Sequence, residues 1–337
     1  MYILRGTRLQ AEGGPTPPNR QRPKKEISNP RGGSHLKRTV LLTIRSARPG
    51  LTLLAVLSIS LFCASKAKAA PIPPPTPITS SACNNFITAS GAYILQTDIG
   101  PCAPGDVGIW ISVSNVNLYM NGHTLNGSTV PGNCDGSVGV FAASFDETTV
   151  ISGVNVIGPG KMSNWQIGLA STHSTKSSVS FTKVTADCSA PVNSYGIVVD
   201  GTTSRWTFLG NVVQEPGNTS AGLDLGGSGH YVAGNSVNDT LEIVDCTGCV
   251  VFGNFATNDS GGIYVSGGSN NQILANTTEN NTGFSGILLT GGTTGNLVSL
   301  NRSLNNTPYD MEDDSPGCGT DKWERNTFKT ANKTCIH

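Results

Sequence analysis

Three carboxylates, Asp200, Asp224 and Glu242, are the side chains of this sequence best placed to do chemistry. Asp224 stands two residues after Gly222, and Glu242 falls at the same phase of the next unit when that unit is counted back from Asn254. Stacked on adjacent strands they would lie about 5 Å apart, with Asp200 diagonal to them. Like charges that close do not both ionise cheaply. Either Ca2+ neutralises Asp224 and Glu242, or one carboxyl keeps its proton and serves as a general acid. Arg205, Trp206 and Tyr264 add a cation and flat apolar faces, the equipment that holds a sugar ring. The expected catalytic residues are thus Asp200, Asp224 and Glu242, with Arg205, Trp206 and Tyr264 binding substrate. The competing reading is a solvated acidic strip. His123 reads as a structural turn residue, and His173 and His230 fall at other phases, which makes no metal pair and counts against copper. Glu312, Asp313 and Asp314 lack calcium-loop spacing and read as a polar cap on the last unit.

The elements that must position these groups are short and repetitive. Units of one type recur as Gly108-Ile-Trp-Ile, Gly139-Val-Phe-Ala, Gly168-Leu-Ala-Ser, Gly196-Ile-Val-Val, Gly222-Leu-Asp-Leu, Gly262-Ile-Tyr-Val and Gly286-Ile-Leu-Leu. Asn211, Asn235, Asn254, Asn276, Asn301 and Asn326 mark a second phase. The mean spacing of about 23 residues is one turn of a β-solenoid. Alternating residues such as Ile197 and Val199 point inward, and one coil cannot bury them without the next. Gly and Asn are expected to supply positive-φ corners, and the Asn side chains to stack as a structural ladder. Two positions after each anchor the outward row reads Trp110, Phe141, Ala170, Val198, Asp224, Glu242, Tyr264, Leu288 and Asp310.

Composition agrees with this reading. With 41 Gly, 19 Pro and only 13% charged residues, a helical bundle or coiled coil is disfavoured. Residues 1 to 50 carry eleven Lys or Arg against two acids, and an apolar run from Leu51 to Ala64 leads to Ala67-Lys68-Ala69. Basic, then apolar, then A-x-A is a secretory leader, with cleavage expected after Ala69. A Pro-rich spacer is expected over 70–82 and one β-helix domain over 83–337. Without residues 1–69 the chain keeps nine Lys or Arg and twenty Asp or Glu, a formal charge of 9 − 20 = −11. Nucleic acid is excluded as a partner by that sign. Eight cysteines remain, an even number that implies disulfides in an exported chain. Proximity pairs Cys83 with Cys102 and Cys318 with Cys335, and less directly Cys134 with Cys188 and Cys246 with Cys249. The Cys246-Thr-Gly-Cys249 element also reads as a redox pair or metal half-site.

The stretch Leu118-Tyr-Met-Asn-Gly-His-Thr-Leu125, followed by the Gly units with trailing Asn, resembles the right-handed parallel β-helix proteins. The ending Tyr309-Asp-Met-Glu-Asp-Asp with Cys318, Trp323, Asn326, Phe328 and Cys335 is similar to the closing coil of exported bacterial members. That superfamily includes pectate lyases, polygalacturonases, alginate epimerases and the periplasmic proteins that mature the copper site of nitrous oxide reductase. The resemblance implies an all-β fold, a single right-handed parallel β-helix of about nine coils. It also implies a secreted or periplasmic protein, monomeric and without a membrane span, that binds or processes an extracellular polysaccharide along its long face. The Asp-Asp and Gly-His-Gly constellation of the polygalacturonases and the Asp-Pro-His-Asp block of the epimerases are both missing, so function follows from fold more than from motif. A non-catalytic surface solenoid and a metalloenzyme-maturation factor are the alternatives.

Overall fold

The computed structural model describes residues 73–128, 136–185, 194–214, 221–258 and 260–337. The leader, its cleavage point and the Cys134–Cys188 pairing lie outside them. Ten parallel strands stack in chain order into one sheet: Asn85–Ile87, Val107–Ile111, Val138–Ala142, Ile167–Ser171, Tyr195–Val199, Ala221–Ser228, Thr240–Thr247, Ile263–Ser266, Ile287–Leu289 and Met311–Asp313. Seven of these correspond to the Gly units read from the sequence; Thr240–Thr247 and Met311–Asp313 lack the Gly, and Asn85–Ile87 precedes them all. Seventeen further strands form the second sheet, each again parallel to the strand one coil away. No helix among the described residues is long and apolar enough to cross a membrane. The molecule is a right-handed parallel β-helix.

Inward residues of both sheets fill the axis. Ile109, Val140, Leu169, Ile197, Leu223, Leu241, Ile263, Ile287 and Met311 are all essentially inaccessible and stack strand on strand. The anchor glycines have a different reason from the one expected. Gly108, Gly139 and Gly262 do not take positive φ. A Cβ on them would stand 2.5, 2.4 and 1.9 Å from a carbonyl oxygen of the next coil. Close coil approach, not a left-handed turn, selects glycine there. The left-handed corners come just before the ladder asparagines, at Gly210, Gly234, Gly253, Ala275, Leu300 and Arg325.

The Asn ladder is present in full. From each asparagine to the next, through Asn211, Asn235, Asn254, Asn276, Asn301 and Asn326, both the backbone N–H and the side-chain amide donate to the next Oδ1 at 2.8–3.1 Å. Two shorter ladders, Asn271 to Asn296 and Asn281 to Asn306, end on the carboxylates of Asp321 and Asp310. A carboxylate there accepts the last donors and asks for no further partner.

Both ends are stapled, by Cys83–Cys102 and Cys318–Cys335, with Cα atoms 5.7 and 6.2 Å apart. A third bridge joins Cys246 to Cys249. The described part of the stretch expected as a spacer contains a strand. Thr76–Ile78 is a strand, with Thr76 opposite Tyr93 and Pro77 opposite Ile94. Proline is tolerated in this terminal strand because it need not donate to a ladder on both sides.

Candidate functional site

The long face of the ten-stranded sheet presents one outward residue per coil. Its register runs Phe86, Trp110, Phe141, Ala170, Val198, Asp224, Glu242, Tyr264, Leu288 and Glu312. Asp224 and Glu242 are directly paired across adjacent coils, as the phase of the repeat predicts. The row ends on Glu312 rather than the expected Asp310, which is buried as a ladder terminus. The slip comes from the last unit, which has no Gly anchor and whose inward residue is Met311.

Both carboxyls of the pair are held neutral more easily than usual. Burial pushes Asp224 up to about 6. Burial first, and then the charges of Asp224 and Asp239, push Glu242 up to about 7. Asp239 is the nearby buried carboxylate whose Oδ1 accepts from the Thr240 N–H at 2.7 Å and the Ser260 hydroxyl at 2.8 Å. The pair therefore keeps protons to higher pH than ordinary carboxyls do, and gives up the last one around neutral pH. Apolar and aromatic groups continue the row on either side. Tyr264 follows Glu242, with its ring 6.2 Å from the half-exposed Phe284. At the other end Trp110 lies 5.9, 5.1 and 5.2 Å from Phe86, Phe141 and Phe145.

Other expected site residues are not on this row. Asp200 follows the strand and caps its turn, with Oδ1 accepting from the Thr202 N–H and hydroxyl. Arg205 is exposed on a left-handed corner ahead of the second sheet. Trp206 is wholly buried, stacked on Phe208 at 5.8 Å with its indole N–H donating to Ser174. It is core, because inward and outward alternate and its phase is inward. Calcium is not supported either. Its shell needs six to eight oxygens, and no acidic trio converges around Asp224 and Glu242 among the described residues. His123 stands away from the row, with its ring Nδ1 3.1 Å from the Asp98 carboxylate.

Sequence reasoning missed one convergence. His230, Cys246 and Cys249 are buried, with their donor atoms within 4.8 Å of one another. The available signal was spacing: His230 and Cys249 are nineteen residues apart, the same interval as Asn235 and Asn254, so they stack. The set is the soft one that copper takes. Its lone pairs are nevertheless committed in this state. The sulfurs are bonded to each other. Nδ1 accepts the Trp206 N–H at 3.1 Å, which leaves the proton on Nε2 to donate to the Gly226 carbonyl at 2.8 Å. Burial lowers the His230 pKa and keeps the ring neutral. The oxidised cluster does not fit a copper ion.

The fold and this face define an extended parallel β-helix protein with one continuous outward row. Residues 151–336 match the family of the periplasmic copper-binding protein NosD, and the chain belongs to that family. Among curated proteins none matches. Two solved structures are similar at 15% identity. One is the Dettilon tailspike protein, with a TM-score of 0.39 over 67% of this chain and 58% of the tailspike. The other is the A-module of the Azotobacter vinelandii mannuronan C-5 epimerase AlgE4, with a TM-score of 0.30 over 71% of this chain and 84% of the module. The chain thus spans little more than half the length of the tailspike.

Proposed function

We propose that this protein is exported and binds and processes an extracellular polysaccharide along the long face, with Asp224 and Glu242 as its acid and carboxylate. The observation that carries the reading is the stacked pair itself, pushed up to about 6 and about 7, in a row whose other members, apart from Glu312 at its end, are aromatic and aliphatic. A face of that composition suits a sugar chain, whose rings have apolar faces and whose glycosidic oxygen needs a proton to leave. Glu242, the higher of the two, is the acid, and Asp224 the carboxylate that stabilises or captures the cationic sugar. Stacking on adjacent coils, about 5 Å apart, suits a retaining pair better than an inverting one, whose carboxyls stand farther apart to admit a water.

The test is a polysaccharide panel assayed for new reducing ends with the wild type, Glu242→Gln and Asp224→Asn. Release by the wild type, lost in both variants while their melting curves stay intact, supports the reading. Release that survives both substitutions ends it. The basic and apolar pattern of residues 1–69 supports the compartment, and the periplasmic family agrees with it. N-terminal sequencing of the exported protein should begin at Ala70. A start that retains Leu51 contradicts the leader.

The family match favours a second reading, maturation of a copper enzyme. The buried cluster of His230, Cys246 and Cys249 does not supply its metal site in the oxidised chain. Copper(I) titration of the oxidised protein should leave the Cys246–Cys249 bridge intact.

A further inference from the structure

Four aromatic rings gather at the N-terminal end of the long face. Phe86 and Phe145 are 54% and 56% exposed, and Trp110 stands between them and Phe141. The Trp110 indole N–H donates to the Ala143 carbonyl at 2.7 Å, which fixes the ring's tilt on the outer surface. Exposed aromatic side chains in contact are costly in water and mark a binding surface. The platform continues the row of the acid pair, and Trp110 is four coils from Asp224, about 19 Å at the spacing of stacked strands.

The charge of the sheet narrows the ligand. Not one Lys or Arg occurs in its ten strands. The row itself carries Asp224, Glu242 and Glu312. A polyuronate or sulfated chain would find no counter-charge there and would meet repulsion at the pair. We infer that the platform of Phe86, Trp110, Phe141 and Phe145 is a distal sugar subsite, and that the row takes an uncharged polysaccharide long enough to reach from the platform to the acid pair. The inference rests on the reading of the long face as a polysaccharide site and adds its charge class and its second anchor.

Affinity electrophoresis of the full exported chain tests it, with galactomannan, xyloglucan and hydroxyethyl cellulose as neutral probes and polygalacturonate and alginate as acidic ones. Phe86→Ser with Phe145→Ser removes the exposed half of the platform and spares the core. Phe252→Ser, exposed on the other sheet, is the control. At least one neutral polymer should retard the wild type and the control, the double variant should bind it about tenfold or more weakly, and the acidic polymers should not bind. Stronger retention by the acidic polymers overturns the charge assignment. Unchanged binding by a folded double variant overturns the platform, and if Glu242→Gln still abolishes processing then the acid-pair reading survives. Binding to no polysaccharide of either charge removes both.

Discussion

At the scale of single residues, the acid pair makes a prediction about pH whose sign is opposite to that of most carboxylates. A carboxyl whose pKa is higher in the folded chain gains a proton on folding. Its penalty is absent below about pH 4, grows as pH rises through the ordinary carboxylate range, and is complete above the folded values of about 6 and about 7. Asp224→Asn or Glu242→Gln should therefore raise stability at pH 8 by about 1–2 kcal/mol each, after allowance for partial exposure, and change little at pH 4. Urea unfolding at the two pH values checks this, and destabilisation at pH 8 would mean that the carboxylates are structural partners. The pair was legible in the sequence because Gly222 and Asn254 set the phase of both residues. Trp206 was not legible, since an aromatic residue beside an exposed Arg205 reads as surface until the corner between them is known.

Among elements, the ladders carry the most concentrated polar energy. Asn254 accepts two bonds from Asn235 and donates to Val232 and Asn276, all buried. Asn254→Ala leaves those groups without partners and should cost about 3 kcal/mol, against about 1 kcal/mol for Asn326→Ala at the half-exposed end. Equal losses in urea unfolding would show that the bonds do not act as a connected series. The short ladder that ends on Asp310 adds acid sensitivity. Burial alone would raise this carboxyl, but bonds from Asn306, Lys329 and Thr330 outweigh it and hold the pKa below the ordinary value. Its contribution is present above the ordinary carboxylate range and is lost as pH falls through the folded value. Hydrogen exchange at pH 3 should therefore loosen residues 306–330 before the central coils, and Asp310→Asn should reduce the difference between pH 3 and pH 6. The asparagine repeat declared the long ladder. The aspartate ends were hidden, because a charged residue at a ladder phase looks like an exposed one.

For the whole molecule, a solenoid is nearly one-dimensional: each coil is held by its neighbours, and the two ends hold the least. The terminal disulfides close those ends. Cys318→Ser with Cys335→Ser should cost about 3 kcal/mol by the chain-entropy model and raise exchange first in the last coil, with Thr240–Thr247 still protected. Uniform loss of protection would show that the coils unfold as one. The sequence by itself determined the class of fold, the period, the outward row and the stacking of Asp224 on Glu242, because parallel coils repeat one backbone path and phase along the chain becomes position in space. Tertiary structure alone decided what that phase could not encode. It set the end of the row at Glu312, the corner at Arg205 that turns Trp206 inward, and the contact between Phe145 and the coil-borne rings. Each depends on how a corner of irregular length turns the chain, and corners are where the repeat breaks.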